Sequence, residues 1–136
     1  MRFAVLVRST EEIESGVLPT AEQLTKMGNF NEGLIKDGVM LAGEGLKDSS
    51  KGARITFSGG KTSVVDGPFA ETKELIAGFW IVQGKSKEEI VERFKHAPME
   101  EGQTLEIRQI FEAEDFGENL SQEMREREER LRASRS

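Results

Sequence analysis

The sequence predicts an α+β fold, the ferredoxin-like βαββαβ plan with a β-hairpin insertion in its middle. Three observations carry this expectation. Two stretches with helical spacing, each opened by a capping-box pattern, alternate with runs rich in β-branched and aromatic residues. A glycine pair, Gly59-Gly60, separates two further β-rich runs, the mark of a tight hairpin. The chain has 136 residues, 36% hydrophobic and 32% charged, which suits one domain with its own core.

The elements follow in order. Arg2–Arg8 reads as a strand, with Phe3, Val5 and Val7 on one side and Ala4 and Leu6 on the other. A loop runs to Leu18-Pro19. Thr20 is a helix N-cap with Gln23 three residues on. That helix carries Leu24, Met27, Phe30, Leu34 and Ile35, and Asp37-Gly38 ends it. Val39–Ala42 is a second strand. Arg54–Ser58 and Lys61–Val65 flank the glycine pair as a hairpin, which Pro68 closes. Gly78–Gln83 is a strand, apolar on both sides. Ser86 and Glu89 form a second capping box, opening a helix with Ile90, Val91 and Phe94 buried. Pro98 stops it, and Thr104–Glu112 is the last core strand. Residues 1–117 thus form the domain, and 118–136 a charged helical tail from about Asn119 to Ala133. Its Glu123–Arg127, Glu126–Arg130 and Glu128–Arg132 pairs have the favourable orientation.

Composition excludes several classes. There is no cysteine, so disulfides and thiolate metal sites are out. A single histidine, His96, excludes a multi-histidine metal site within one chain. Net charge is −6, with no basic arm, which argues against nucleic acid and anionic membranes. The opening apolar run is too short for a signal-peptide core or a membrane span, so a cytoplasmic protein is expected. Gly59-Gly60-Lys61-Thr62 lacks the first glycine of a phosphate-binding loop, since position 55 is Ile.

The strands raise a covering problem. Two helices cover one face of a four-stranded sheet, and a wet second face should alternate apolar with polar residues. Arg2–Arg8, Val39–Ala42 and Gly78–Gln83 do not alternate. If Phe3, Val5, Phe79 and Ile81 share one face, Ala4, Leu6, Trp80 and Val82 share the other. A large bare apolar face invites association. Homodimerisation through the sheet faces is therefore expected, the rival being a monomer whose hairpin folds over the sheet.

The run Asp66-Gly67-Pro68-Phe69-Ala70-Glu71-Thr72-Lys73-Glu74, followed by Ile76-Ala77-Gly78-Phe79, closely resembles the signature of the YCII-related, or DGPF-domain, family. Gly38-Val39-Met40-Leu41-Ala42-Gly43-Glu44-Gly45-Leu46 and Glu106-Ile107-Arg108-Gln109 resemble the same family, and the likeness covers residues 1–117. It implies small proteins whose ferredoxin-like units pair into a dimeric α+β barrel. Most members have no established activity, and some are encoded beside, or fused to, sigma-factor-like regulators. A distant relative removes chloride from a chlorinated aromatic, and a His–Asp pair is implicated in such members. This chain has no histidine in its first helix, where Met27 stands at about that position.

The motif offers candidate residues. Asp66 either closes an Asx-type turn or serves as a general base at the rim of a dimer cleft, where burial by Phe69 and Trp80 would raise its pKa. Those aromatics are equally consistent with core. Glu71 and Lys73 are supporting polar groups or part of a solvated loop, and Glu44, between two glycines, stands where backbone approaches a ligand or merely turns. The catalytic candidates are Asp66 and Glu71, and the ligand-binding candidates Glu44, Phe69, Lys73 and Trp80. No metal and no cofactor are expected, since nothing in the carboxylate spacing demands one. The function expected is small-molecule binding, with lyase- or isomerase-like proton transfer in a dimer cleft. The alternative is a non-enzymatic accessory module linked to sigma-factor-type regulation.

Overall fold

The computed structural model describes residues 1–135; Ser136, the last residue of the expected tail, lies outside the described residues. The chain runs β1 (Arg2–Arg8), α1 (Glu11–Glu14), α2 (Ala21–Lys36), β2 (Met40–Gly45), β3 (Ala53–Ser58), β4 (Lys61–Asp66), β5 (Ile76–Gln83), α3 (Lys87–Phe94), β6 (Leu105–Gln109) and α4 (Gln122–Arg135). Short 3₁₀ turns at Ser49–Lys51, Thr72–Glu74 and Ala113–Asn119 join them. Four strands form an antiparallel sheet in the order β2-β5-β1-β6. With α2 and α3 as the crossovers, this is the ferredoxin-like arrangement.

The local chemistry explains the boundaries. Thr20 accepts from the Gln23 backbone at 3.1 Å, while the Gln23 side chain accepts from the Thr20 N–H at 2.8 Å. Both orphan donors are thus satisfied at the start of α2. The box at α3 closes differently. Ser86 accepts from the Glu89 N–H at 3.1 Å, but the Glu89 carboxylate takes the N–H of Lys85 rather than that of Ser86. The expected loop before α2 contains α1, a single turn capped by Thr10, whose hydroxyl accepts from Ile13 at 3.2 Å.

The core lies on one side of the sheet. Phe3, Val5, Trp80 and Val82, between 0% and 5% exposed, meet Leu34 from α2 and Ile90 and Phe94 from α3. Phe30, Trp80 and Phe94 form an edge-to-face triad with ring centroids 5.1 to 6.2 Å apart. This corrects the expected division of faces. Phe3 pairs with Val82 and Val5 with Trp80, so these four share the helix-covered face. Ala4 pairs with Ile81 and Leu6 with Phe79, so these share the other. Alternation within each strand follows the sequence pattern, while the register between strands, which a one-residue slip inverts, differs from the expected one.

The second face carries no layer of this chain's helices, and its Leu6, Phe79 and Ile81 are only half-buried. β3 and β4 pair as a separate two-stranded sheet around Gly59 (φ 58°) and Gly60 (φ 73°). Every residue of both strands is exposed, Phe57 to 78%. The tail forms α4, which has no buried residue. Of the three expected ion pairs, Glu128–Arg132 closes, at 3.6 Å; Glu126 instead accepts from Gln122 at 3.1 Å. Phe111 stacks on Phe116 at 5.0 Å ahead of it.

Candidate functional site

The sheet runs short of side chains at one place on its helix-covered face. Gly45 and Gly78 pair across β2 and β5, next to the Gly43–Trp80 pair. A Cβ on Gly78 would lie 2.9 Å from the Glu44 carbonyl oxygen, so that position needs glycine, whereas one on Gly43 would meet the flexible end of Met40 at 2.7 Å, which can shift. Gly45 faces open space. Over this bare floor a cleft of about 1010 Å³ opens, with Leu24, Met27 and Asn31 of α2 among its borders. Val7, Met27, Trp80 and Met99 border it; Gly16–Pro19 and the 98–103 turn stand at its mouth. Its size lies at the upper end of ordinary small-molecule sites, ~300–1,000 Å³.

Trp80 is the fixed wall. Its indole N–H donates to Asn31 Oδ1 at 2.8 Å, and Phe30 and Phe94 hold its ring edge-on. A buried tryptophan N–H with a partner costs little, and its orientation is set. Asn31, which the sequence did not single out, therefore places the wall while bordering the cleft itself. Glu44 also borders it, exposed and with no ion pair among the described residues, but it pairs with Phe79, so its side chain belongs to the second sheet face.

The Asp66–Glu74 motif builds something else. Gly67 packs so closely that a Cβ would lie 1.7 Å from the Ser49 carbonyl oxygen, and its N–H donates to Gly52 O at 3.0 Å. The Gly67–Pro68 peptide is cis. The Phe69 N–H donates to Ser49 Oγ at 2.9 Å, and the Arg54 guanidinium sits 3.9 Å over the Phe69 ring. Ser49 in turn donates through its backbone N–H, at 3.1 and 3.2 Å, and through its hydroxyl to the Glu14 carboxylate. One serine thus ties the motif to α1. Asp48 and Lys51, on either side of this turn, border the cleft, so the motif buttresses a cleft wall from behind.

Asp66 itself is exposed at the end of β4, opposite Ala53. Its carboxylate makes no hydrogen bond among the described residues, and the expected Asx-type turn does not form because the residue two positions on, Pro68, has no N–H. Lys73 is exposed, and its carbonyl accepts from the Arg8 guanidinium, which also pairs with Glu106 at 2.9 Å. Glu71 lies exposed beside Glu74. A side-chain hydrogen bond to Glu71, and the repulsion of its charge, push the Glu74 carboxyl above its ordinary value. Of the six candidates the structure brings Glu44 and Trp80 to the cleft; Asp66, Phe69, Glu71 and Lys73 stand outside it. His96 is exposed just beyond α3.

Among the described residues no group of three or more Asp, Glu or His is placed to hold a metal ion. No helix among them is long and apolar enough to cross a membrane. A model of the YCII-related domain matches residues 1–114. An uncharacterized protein of Rhizobium meliloti (strain 1021) is 28% identical over 94 residues, covering 68% of this chain and 76% of that protein.

Proposed function

This chain belongs to the YCII-related domain family, and from that premise we propose that it is a small-molecule-binding protein that works as a homodimer in the cytoplasm. The observation that carries the binding reading is the glycine-floored cleft walled by Trp80. Pockets of this size with one locked aromatic wall and a few polar groups are the usual form of a ligand site. The chemistry in reach favours binding over turnover. Met27, a thioether, borders the cleft at the helix position where a histidine would stand, and Asp66 is exposed at the base of the hairpin, outside the cleft lining. In this reading the DGPF-type motif is a structural brace, and the module fits an accessory role beside a regulator.

The homodimer forms through the second sheet face and closes a dimeric α+β barrel, with the β3–β4 hairpin as an insertion that gains its cover from the partner. Supporting this are half-buried Leu6, Phe79 and Ile81 and a two-stranded sheet exposed on both sides. Such a hairpin is marginal alone in water. The ligand cleft lies chiefly on the opposite face, where pairing leaves it accessible. α4, with no buried residue of its own, is an arm for the partner.

A second reading, proton transfer, is favoured by the Glu71–Glu74 pair, whose mutual hydrogen bond and repulsion keep a proton on Glu74 to higher pH. A partner closing over that exposed pair would supply the walls an enzyme needs.

The test is a metabolite-library screen that reads Trp80 fluorescence, since Trp80 is the chain's one tryptophan. A ligand of the cleft changes that signal and raises the melting temperature by mass action. Gly45→Leu, which fills open space, abolishes both responses while the fold persists. Ligands that stabilise the protein equally in Gly45→Leu contradict the cleft as the site.

A further inference from the structure

We propose that the cleft selects an amphipathic organic cation: an apolar chain or ring lying on the glycine floor, with an ammonium group at the mouth. This rests on the binding reading above and adds the class of ligand. Two independent features point to it. The inner walls are apolar, with Val7, Met27, Trp80 and Met99 around the bare backbone of Gly45 and Gly78. The mouth is acidic. Glu11, Glu12, Asp48, Glu100 and Glu101 border it, against two lysines, Lys47 and Lys51, and no arginine or histidine.

These carboxylates come from three separate parts of the chain: α1, the turn after β2, and the turn before β6. They converge only in the fold. The four glutamates are exposed and make no ion pair among the described residues, so no internal cation offsets them. Asp48 is already satisfied by the Ser50 backbone at 3.0 Å and by the Ser50 hydroxyl, with Lys51 nearby. A cleft lined by one sign of charge over low-dielectric walls concentrates counter-ions of the opposite sign. An acid of the same shape meets like charge at the mouth, and like-charge juxtaposition rejects a wrong partner as effectively as attraction holds the right one. A cation without an apolar body leaves the floor empty and gains little.

A matched ligand series tests this on the wild-type chain, with Trp80 fluorescence as the readout. The probes are octylammonium, 1-octanol, octanoate and putrescine, each below any micelle concentration. Octylammonium binds tightest, octanol next, and octanoate about tenfold or more weaker than octylammonium at low salt; putrescine leaves Trp80 unchanged. The amine-to-acid ratio shrinks in 0.3 M salt, because exposed charges are screened within a few ångströms there. Glu100→Gln with Glu101→Gln, both in an exposed turn, lowers the amine-to-alcohol ratio. Octanoate or octanol binding as tightly as octylammonium overturns the cation class and leaves the cleft as a site. Putrescine binding as well as octylammonium overturns the amphipathic requirement. Silence of Trp80 to every probe overturns the cation class together with the cleft reading.

Discussion

The two faces of this sheet are built from the same kinds of residue, yet only one is closed. Phe3 and Val82, paired across β1 and β5, sit under α2 and α3 at 1% and 0% exposure. Three residues along the same two strands, on the other face, Leu6 and Phe79 are also paired, equally apolar, and half open to solvent. Side-chain chemistry therefore does not say which face is core; the supply of covering elements does. This chain spends both crossover helices on one side, and the opposite side, like the hairpin with exposed Ile55, Phe57 and Val64, is left in want of a cover. The closed face also holds the cleft, because glycine at 45 and 78 removes the side chains that would have filled it.

Substitutions of equal size on the two faces give the largest contrast. Phe3→Ala should cost about 3–5 kcal/mol in urea unfolding, through lost burial and a cavity. Phe79→Ala should cost within ~1 kcal/mol at concentrations where the chain is monomeric, yet raise the dimer dissociation constant about a hundredfold, the signature of an interface anchor. Equal losses on both faces, with no dependence on protein concentration, would erase the distinction.

The brace behind the cleft comes next. Gly67→Ala places a methyl group against the Ser49 carbonyl and should cost about 1–3 kcal/mol. Ser49→Ala removes the link between Phe69 and Glu14, and the two lost hydrogen bonds should cost about 1–2 kcal/mol. Hydrogen exchange at the Phe69 amide checks the second, which should become unprotected even where global stability changes little.

Much of this was legible in the residues, and the failures have physical reasons. Thr20 with Gln23, Gly59-Gly60 and the strand patterns around Val5 and Trp80 are local signals, and local signals set elements. The register of β1 against β5 is a pairing between segments some seventy residues apart, which periodicity within a strand leaves open. Thr10 and the acidic turn after it did signal α1, but four residues give too short a period to read. The motif from Asp66 was visible as a unit. Its job was not, because that depends on the backbone of Ser49 lying against Gly67, which no spacing encodes. The cleft was half visible: Glu44 and Trp80 reach it, while Asn31 and the glycine floor emerge only when β2 and β5 pair.

The smallest effect lies at the junction with the tail. Arg2 Nε donates to Glu112 at 2.8 Å, and with Arg132 nearby this holds the Glu112 carboxyl below its ordinary 4.5. A lowered folded pKa means the unfolded chain binds the proton more tightly. The stabilisation is therefore complete above pH 4.5 and fades as pH falls through the folded value. Arg2→Gln should remove that acid-side slope and cost less than about 1 kcal/mol at neutral pH, as befits a partly exposed pair. Denaturant midpoints between pH 3 and 7, compared for the two proteins, measure it.

Whether the bare face is closed by a second copy is decided most directly by sedimentation equilibrium of the wild-type chain and Phe79→Arg at micromolar concentration. The expected result is twice the chain mass for wild type and a folded single chain for the variant. A wild-type chain that sediments as a soluble, well-folded monomer, or a Phe79→Arg protein that keeps the doubled mass, would contradict the pairing of these faces.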